Sequence, residues 1–184
     1  MSDTFIPAIT PLAHMERAAR IKVMIFDVDG VLTDGSLTYG PEGEVTKTFN
    51  VLDGLGIQLL NKTGVQTAII SARLSPIVVK RAADLGISHV HQGIHDKRIG
   101  FAKLLEATGF SAEQCGYIGD DVIDLPLFAR VGFAVAVPTG HPEVQHRAHY
   151  VTRNGGGRGA VREVCDLVMR AQGNYEQALA PYFA

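Results

Sequence analysis

Short apolar runs separated by helix-length segments constrain this chain more than any other feature of its sequence. Residues 21–26 read Ile-Lys-Val-Met-Ile-Phe, and comparable runs recur at Gln66–Ile70, 87–91, 115–118, 132–137 and 149–151. Runs this short, mostly bounded by Gly, Pro or polar residues, are the pattern of buried strands. The intervening segments 53–62, 75–85, Lys97–Thr108 and 121–130 have the length of helices. Strands alternating with helices predict an α/β fold, a doubly wound and mainly parallel sheet covered on both faces. A short helix is expected over 12–20. A last one is expected over about 159–171, where Val161, Val164, Cys165, Val168 and Met169 share one side. Residues 1–10 read as a loose arm.

One stretch breaks the alternation. Leu37-Thr38-Tyr39, a Gly40-Pro41-Glu42-Gly43 turn and Val45-Thr46-Lys47-Thr48-Phe49 read as a β-hairpin, at about 36–49, inserted after the first strand. A lone two-stranded hairpin is marginal in water and needs a surface to pack on. Its own domain and a neighbouring subunit are equally good candidates. No repeat, low-complexity segment or linker divides the chain, so residues 1–184 read as one domain with a Gly-rich C-terminal tail from about 153.

Charge and hydropathy exclude some partners. Seventeen basic against nineteen acidic residues give a net charge of -2. No basic stripe is visible, so nucleic acid is not an expected partner. The apolar runs are too short to span a bilayer, and residues 1–20 lack the pattern of a secretory signal. A cytoplasmic protein is expected, with Cys115 and Cys165 as buried, reduced thiols.

The chemistry-bearing signal follows the first strand: Phe26-Asp27-Val28-Asp29-Gly30-Val31-Leu32-Thr33-Asp34-Gly35. In open parallel sheets ligands bind beyond the carboxyl ends of the strands, which is where Asp27 and Asp29 fall. Two carboxylates this close repel unless a cation or a shared proton intervenes, and a hard ion such as magnesium relieves that repulsion. A second acidic group, Gly119-Asp120-Asp121-Val122-Ile123-Asp124, follows the fourth main strand. First and fourth strands commonly straddle the switch point of such sheets, so Asp120 is expected to face Asp27 across a shared metal. Either cluster alone reads as a turn or a helix cap rather than a site; both together, each at a strand end, point to a site. Ser71 after the second main strand and Lys97 further on would supply a hydroxyl and an ammonium for an anionic ligand such as phosphate. Taken singly, Ser71 reads as a helix cap and Lys97 as a surface lysine.

In that order, Asp27/Asp29, Ser71, Lys97 and Asp120/Asp121 resemble the motifs of the haloacid dehalogenase (HAD) superfamily. More closely, Asp27 to Gly35, Asn50-Val51-Leu52-Asp53-Gly54, Ser71-Ala72-Arg73 and the Gly-rich tail resemble its 3-deoxy-D-manno-octulosonate (KDO) 8-phosphate phosphatase family. Phosphatases for sialic-type nonulosonate 9-phosphates share many of these motifs. Ala72 stands where Gly is common, and Gln58 where many relatives carry Arg.

The resemblance implies a mechanism. Asp27 is the nucleophile and forms an aspartyl phosphate; Asp29 protonates the leaving alkoxide and then deprotonates water. Magnesium is held by Asp27, Asp120 and the backbone carbonyl of Asp29, while Lys97 and Ser71 stabilise the phosphoryl oxygens. Asp121 orients Lys97 or the metal's waters. The gaps between motifs are too small for a cap domain, so the family pattern implies a homotetramer whose neighbouring subunits close the site. Asn50, Val51, Leu52, Asp53, Gly54 and Gln58, with Arg73, Arg81, Lys97 and Arg158, are then expected to bind a small phosphorylated sugar acid. For Arg81 a solvated helix face is an equal alternative; for the tail that carries Arg158, a plain connection to the last helix. The implied setting is lipopolysaccharide assembly. An idle oligomerisation module of the same fold is the alternative from outside enzymology.

Overall fold

The computed structural model describes residues 11–183, so the arm expected over 1–10 lies outside the described residues. Six parallel strands form the main sheet: β1 (Val23–Phe26), β4 (Gln66–Ile70), β5 (His89–His91), β6 (Cys115–Gly119), β7 (Phe133–Ala136) and β8 (Tyr150–Val151). Their order across the sheet is β5-β4-β1-β6-β7-β8. The chain therefore builds one half outward from β1, then returns to β1 to build the other. The doubly wound α/β fold expected from the apolar runs is the one observed. β1 lies between β4 and β6, pairing Phe26 with Ile69 on one side and Ile118 on the other. The rim at those residues is the topological switch point where ligands bind in such sheets.

The side-chain alternation of β1 splits the core in two. Met24 and Phe26 face the cluster beneath α1 (Pro11–Ala19), α2 (Val51–Lys62), α3 (Pro76–Leu85) and α7 (Ala160–Ala171), with Ile57, Leu60, Val161 and Val164. Val23 and Ile25 face the cluster beneath α4 (Lys97–Thr108), α5 (Leu125–Phe128) and α6 (Pro142–Arg147), with Phe101, Leu104, Leu127 and Val144. Burial on both faces is why these strands read as continuous apolar runs. A further short helix, α8 (Tyr175–Leu179), follows α7.

Three segments differ from the sequence reading. The helix expected over 121–130 is a 3-10 turn at Val122–Asp124 followed by the single-turn α5. Pro126 restricts the backbone of the residue before it, so a continuous helix does not form through this segment. Helix α2 starts at Val51, two residues early, because the Asn50 side chain accepts from the Leu52 N–H at 2.8 Å. The hairpin forms, but with short arms, β2 (Thr38–Gly40) and β3 (Gly43–Thr46), and a register shift at Thr38/Tyr39. Cys115 and Cys165 are buried and unpaired, as expected.

Candidate active site

At the switch point the backbone N–H of Asp27 still bonds the Ile118 carbonyl at 3.0 Å, so the nucleophile candidate begins where the sheet ends. Asp27 is buried, and its Oδ2 lies 2.9 Å from Lys97 Nζ. Carboxylate oxygens of Asp27, Asp120 and Asp124 all lie within 4.8 Å of one another. The loop between Asp27 and Asp34 turns at Gly30, whose φ is +88°, and the Thr33 Oγ1 accepts from the Gly30 and Gly35 N–H groups. A side chain at Gly30 would meet Asp120: a Cβ there stands 2.0 Å from Asp120 Oδ2. The Asp120 carboxylate is thus laid directly on the loop that carries Asp27 and Asp29.

Lys97 is the first residue of α4, where the helix dipole disfavours a cation. It is nonetheless only 1% exposed, because carboxylates surround it. Its ammonium reaches Asp27, Asp124 Oδ1 at 2.5 Å and the Tyr117 hydroxyl at 2.9 Å, which occupies all three N–H groups. Burial works to lower the Lys97 pKa, but the charges of Asp27 and Asp124 more than offset it, and the ammonium is held. Asp124 is fully buried and saturated. Its Oδ1 takes Lys97 and Tyr117, and its Oδ2 takes the backbone N–H groups of Asp120 at 2.8 Å and Asp121 at 3.1 Å. Asp124 therefore braces Lys97 and the loop that carries Asp120. Orientation of Lys97, expected of Asp121, falls to Asp124 instead; Asp121 caps the following turn through Val122 N–H and lines the pocket.

Electrostatics mark the cluster as short of positive charge. Burial raises the pKa of Asp27, opposed by Lys97 and reinforced by Asp124. Burial, then the charges of Asp27 and Asp124, push Asp120 up to about 7. A buried and a half-buried carboxylate that resist ionisation for want of a counter-charge are a chemical fit for a hard divalent cation, which takes oxygen ligands and reverses both shifts. With Asp124 saturated, the carboxylates with free valence are those of Asp27 and Asp120. The side chain of Asp29 points elsewhere, to Lys47 and Arg73.

The pocket in front of the cluster has a volume of about 210 Å³ and is lined by Asp27, Asp29, Gly35, Ser71, Ala72, Arg73, Asp120, Asp121 and Ile123. Ser71 arrives at the end of β4, fixed by its N–H to the His91 carbonyl at 2.9 Å, and its Oγ accepts from the Arg73 N–H. Asp27, Asp29, Ser71, Arg73, Lys97 and Asp120 are thus gathered at one rim.

The remaining expected residues are not brought to this pocket. Asp53 is buried at the start of α7, where its Oδ1 accepts from the Arg162 N–H at 2.8 Å. Gln58 reaches the Asp84 carbonyl across α3 at 3.2 Å. The Arg81 guanidinium lies 5.6 Å from the Phe49 ring centroid and packs against Gly54. Asn50 caps α2, and Val51 and Leu52 are exposed at its head. Leu52 and the exposed Arg158 line a separate cavity of about 550 Å³ beside α1 and α7. The reason is local: α2 packs on α7 and α3, so these side chains serve helix ends and helix–helix contacts within one chain. The Gly-rich tail is also explained within the chain. A Cβ at Gly156 would stand 1.8 Å from the Gly30 carbonyl oxygen, and the Gly157 N–H bonds the Val31 carbonyl at 2.9 Å.

Sequence reasoning missed Asp124, Tyr117 and Lys47. The signal for Asp124 was its place three residues after Asp121, the spacing of a reciprocal capping pair. Tyr117 shares the sheet face that α4 covers, the side on which Lys97 begins that helix. Lys47 had no local signal.

Comparison with known proteins fits this geometry. Residues 73–163 match the haloacid dehalogenase-like hydrolase family. The chain is 49% identical to the 3-deoxy-D-manno-octulosonate 8-phosphate phosphatase of Yersinia pestis over 164 residues, 89% of this chain and 88% of that one. The crystal structure of the Y. pestis phosphatase superposes with a TM-score of 0.87, covering 89% of both chains. The Moraxella catarrhalis phosphatase, solved with magnesium, phosphate and KDO, superposes with a TM-score of 0.89 at 43% identity, covering 92% of this chain and 97% of that one. Fold, motif order and close relatives agree: the chain belongs to the 3-deoxy-D-manno-octulosonate 8-phosphate phosphatase family of haloacid dehalogenase-like hydrolases.

Proposed function

We propose that this protein is a magnesium-dependent phosphomonoesterase that converts 3-deoxy-D-manno-octulosonate 8-phosphate to the free sugar acid and inorganic phosphate. The observation that carries the reading is the meeting of Asp27, Asp120 and Lys97 in one cluster at the sheet's rim, in a chain of this family. Asp27 attacks phosphorus, an O–P bond forms to its carboxylate, and the P–O bond to the sugar breaks. Asp29 hands its proton to the departing alkoxide. Water then attacks the aspartyl phosphate, Asp29 takes the water's proton, and Asp27 is released with inorganic phosphate. Lys97 and Ser71 face the phosphoryl oxygens and steady their charge. The three N–H groups of Lys97 are all engaged at rest, so the phosphate is received by sharing one of them. Asp27, Asp120 and the Asp29 backbone carbonyl would hold magnesium, which offsets the negative charge of nucleophile and phosphate. The M. catarrhalis complex supports that choice of ion.

Arg73 stands in the pocket as a partner for the sugar acid's carboxylate, a geometry suited to its guanidinium fork. Val51, Leu52 and Arg158, exposed on this chain, act, in this proposal, at the edge of a neighbour's site in a homotetramer, while the buried Asp53 and Gly54 hold the head of α2 in place for them. Exposed Tyr39 and Val45 on the hairpin and Val51 and Leu52 on α2 favour such an assembly. Sedimentation equilibrium tests it, and a monomer would remove these residues from the site. The protein would work in the cytoplasm, in lipopolysaccharide assembly; no described helix is long and apolar enough to cross a membrane.

The experiment is a comparison of kcat/KM on octulosonate 8-phosphate, a nonulosonate 9-phosphate and p-nitrophenyl phosphate, with and without magnesium. The eight-carbon acid should be preferred by about tenfold or more, since a misfitting sugar that strains or forgoes its hydrogen bonds is penalised by roughly 1–3 kcal/mol. Preference for the nine-carbon acid would replace the substrate. No magnesium-dependent phosphate release from any of the three would leave an oligomerisation module.

A further inference from the structure

The hairpin supplies a residue to the site that the mechanism above does not use. Lys47 follows β3, in a hairpin where Tyr39 and Val45 are more than half exposed, yet its own side chain is 1% exposed. It is turned inward, onto the Asp29 Oδ1, and sits 2.7 Å from Glu44 Oε1. The other oxygen of Asp29 faces Arg73 Nε at 3.7 Å. Arg73 in turn donates from Nη2 to the Tyr39 hydroxyl and approaches Glu44 Oε1 at 4.0 Å. Asp29 is therefore bonded on one oxygen by Lys47 and faced on the other by Arg73, and both cations are tied to the hairpin.

Burying a lysine side chain costs entropy and desolvation, and a hairpin this short has little stability of its own. The contact that offsets this is with Asp29, a pocket carboxylate that stands apart from the cluster around Lys97. We propose that Lys47 is a positioning residue for the reaction: it holds the Asp29 carboxyl where the leaving-group oxygen departs and, by the same contact, seats the hairpin over the pocket. When Asp29 has given up its proton, the ammonium beside it also steadies the carboxylate from which the hydrolysis step starts. The inference rests on Asp29 being the acid and base, and its test separates the two.

The measurement is kcat/KM, which reports the steps up to leaving-group departure, on two substrates of different need. A sugar phosphate releases a strongly basic alkoxide and requires the proton from Asp29; p-nitrophenyl phosphate releases a stable phenolate and does not. Positioning errors near 1 Å cost about a hundredfold where orientation matters. Lys47→Met should therefore lose roughly 10- to 100-fold on the sugar phosphate and less than about threefold on p-nitrophenyl phosphate. Lys47→Arg should recover part of the loss. Retained p-nitrophenyl phosphate turnover also shows that the variant is folded. Equal losses on both substrates, or none on either, would overturn the role of Lys47. Asp29→Asn run in parallel locates the failure. If it discriminates between the substrates and Lys47→Met does not, only the Lys47 inference falls; if Asp29→Asn does not discriminate either, the acid–base reading falls with it.

Discussion

Replacing Gly30 by Ala perturbs the proposed metal-holding geometry at one atom. The residue has φ +88°, so any side chain brings backbone strain of about 1–2 kcal/mol. The larger effect is steric. The new Cβ would stand 2.0 Å from Asp120 Oδ2, and contacts under 3.0 Å are essentially never tolerated, so carboxylate or loop must move by at least about 1 Å. Magnesium accepts oxygen only near ~2.1 Å and in near-ideal geometry, so that displacement removes a ligand or distorts the set. The half-saturating magnesium concentration should rise at least about tenfold, or ~1.4 kcal/mol, and kcat/KM at fixed magnesium should fall about a hundredfold. The assay is initial rate against magnesium concentration, alongside thermal unfolding. Gly64→Ala is the control: its φ is +91°, and a Cβ there meets nothing within 4 Å. It should cost similar stability and leave the magnesium curve unmoved. A Gly30→Ala enzyme with the wild-type magnesium curve would refute the placement of Asp120 as a ligand.

Two further outcomes follow from the buried polar groups. Tyr117→Phe removes a hydroxyl that accepts from Lys97 and donates to Asp124, both of which keep other partners; stability should fall by about 1 kcal/mol and kcat/KM by severalfold, and an unchanged enzyme would make Tyr117 mere packing. Burial, and secondarily Arg17, lower the His149 pKa from 6.5 to about 4, and its Nδ1 accepts the Ala134 N–H at 2.8 Å. The unfolded chain then binds the proton more readily, so this contribution is intact above pH 6.5 and is lost as pH falls from 6.5 towards 4. The loss is on the order of 2 kcal/mol after allowing for partial solvent screening. His149→Asn keeps an acceptor without a titration, and denaturant unfolding should show a flatter pH dependence than wild type over that window. Parallel curves would contradict it.

The parts of the molecule that read directly from sequence are those set by local pattern. Continuous apolar runs such as Ile25-Phe26 and Ile69-Ile70 announce strands buried on both faces, and a parallel sheet then fixes where its ligand rim must lie. Asp27, Ser71, Lys97 and Asp120 were legible because each follows or approaches a strand end. Asp124 and Tyr117 were not, because their value lies in a network closed through Lys97, 27 and 20 residues away from them along the chain. Lys47 was hidden for the same reason: its partner Asp29 is 18 residues back, across the hairpin. Conversely, Asp53 and Gln58 carry side chains that fit a sugar site on paper, while the packing of α2 turns them to α7 and α3. Register within a helix pair is a tertiary property, and no local pattern encodes it.

The central claim is that Asp27 becomes covalently phosphorylated, and Asp29→Asn mixed with p-nitrophenyl phosphate tests it most directly. Without the base that activates water, the first step should outrun the second and release a burst of p-nitrophenolate stoichiometric with enzyme. Borohydride quenching during that phase should convert residue 27 to homoserine, located by peptide mass spectrometry. Homoserine at any other position, or a burst that persists when Asp27→Asn is added, would contradict the account.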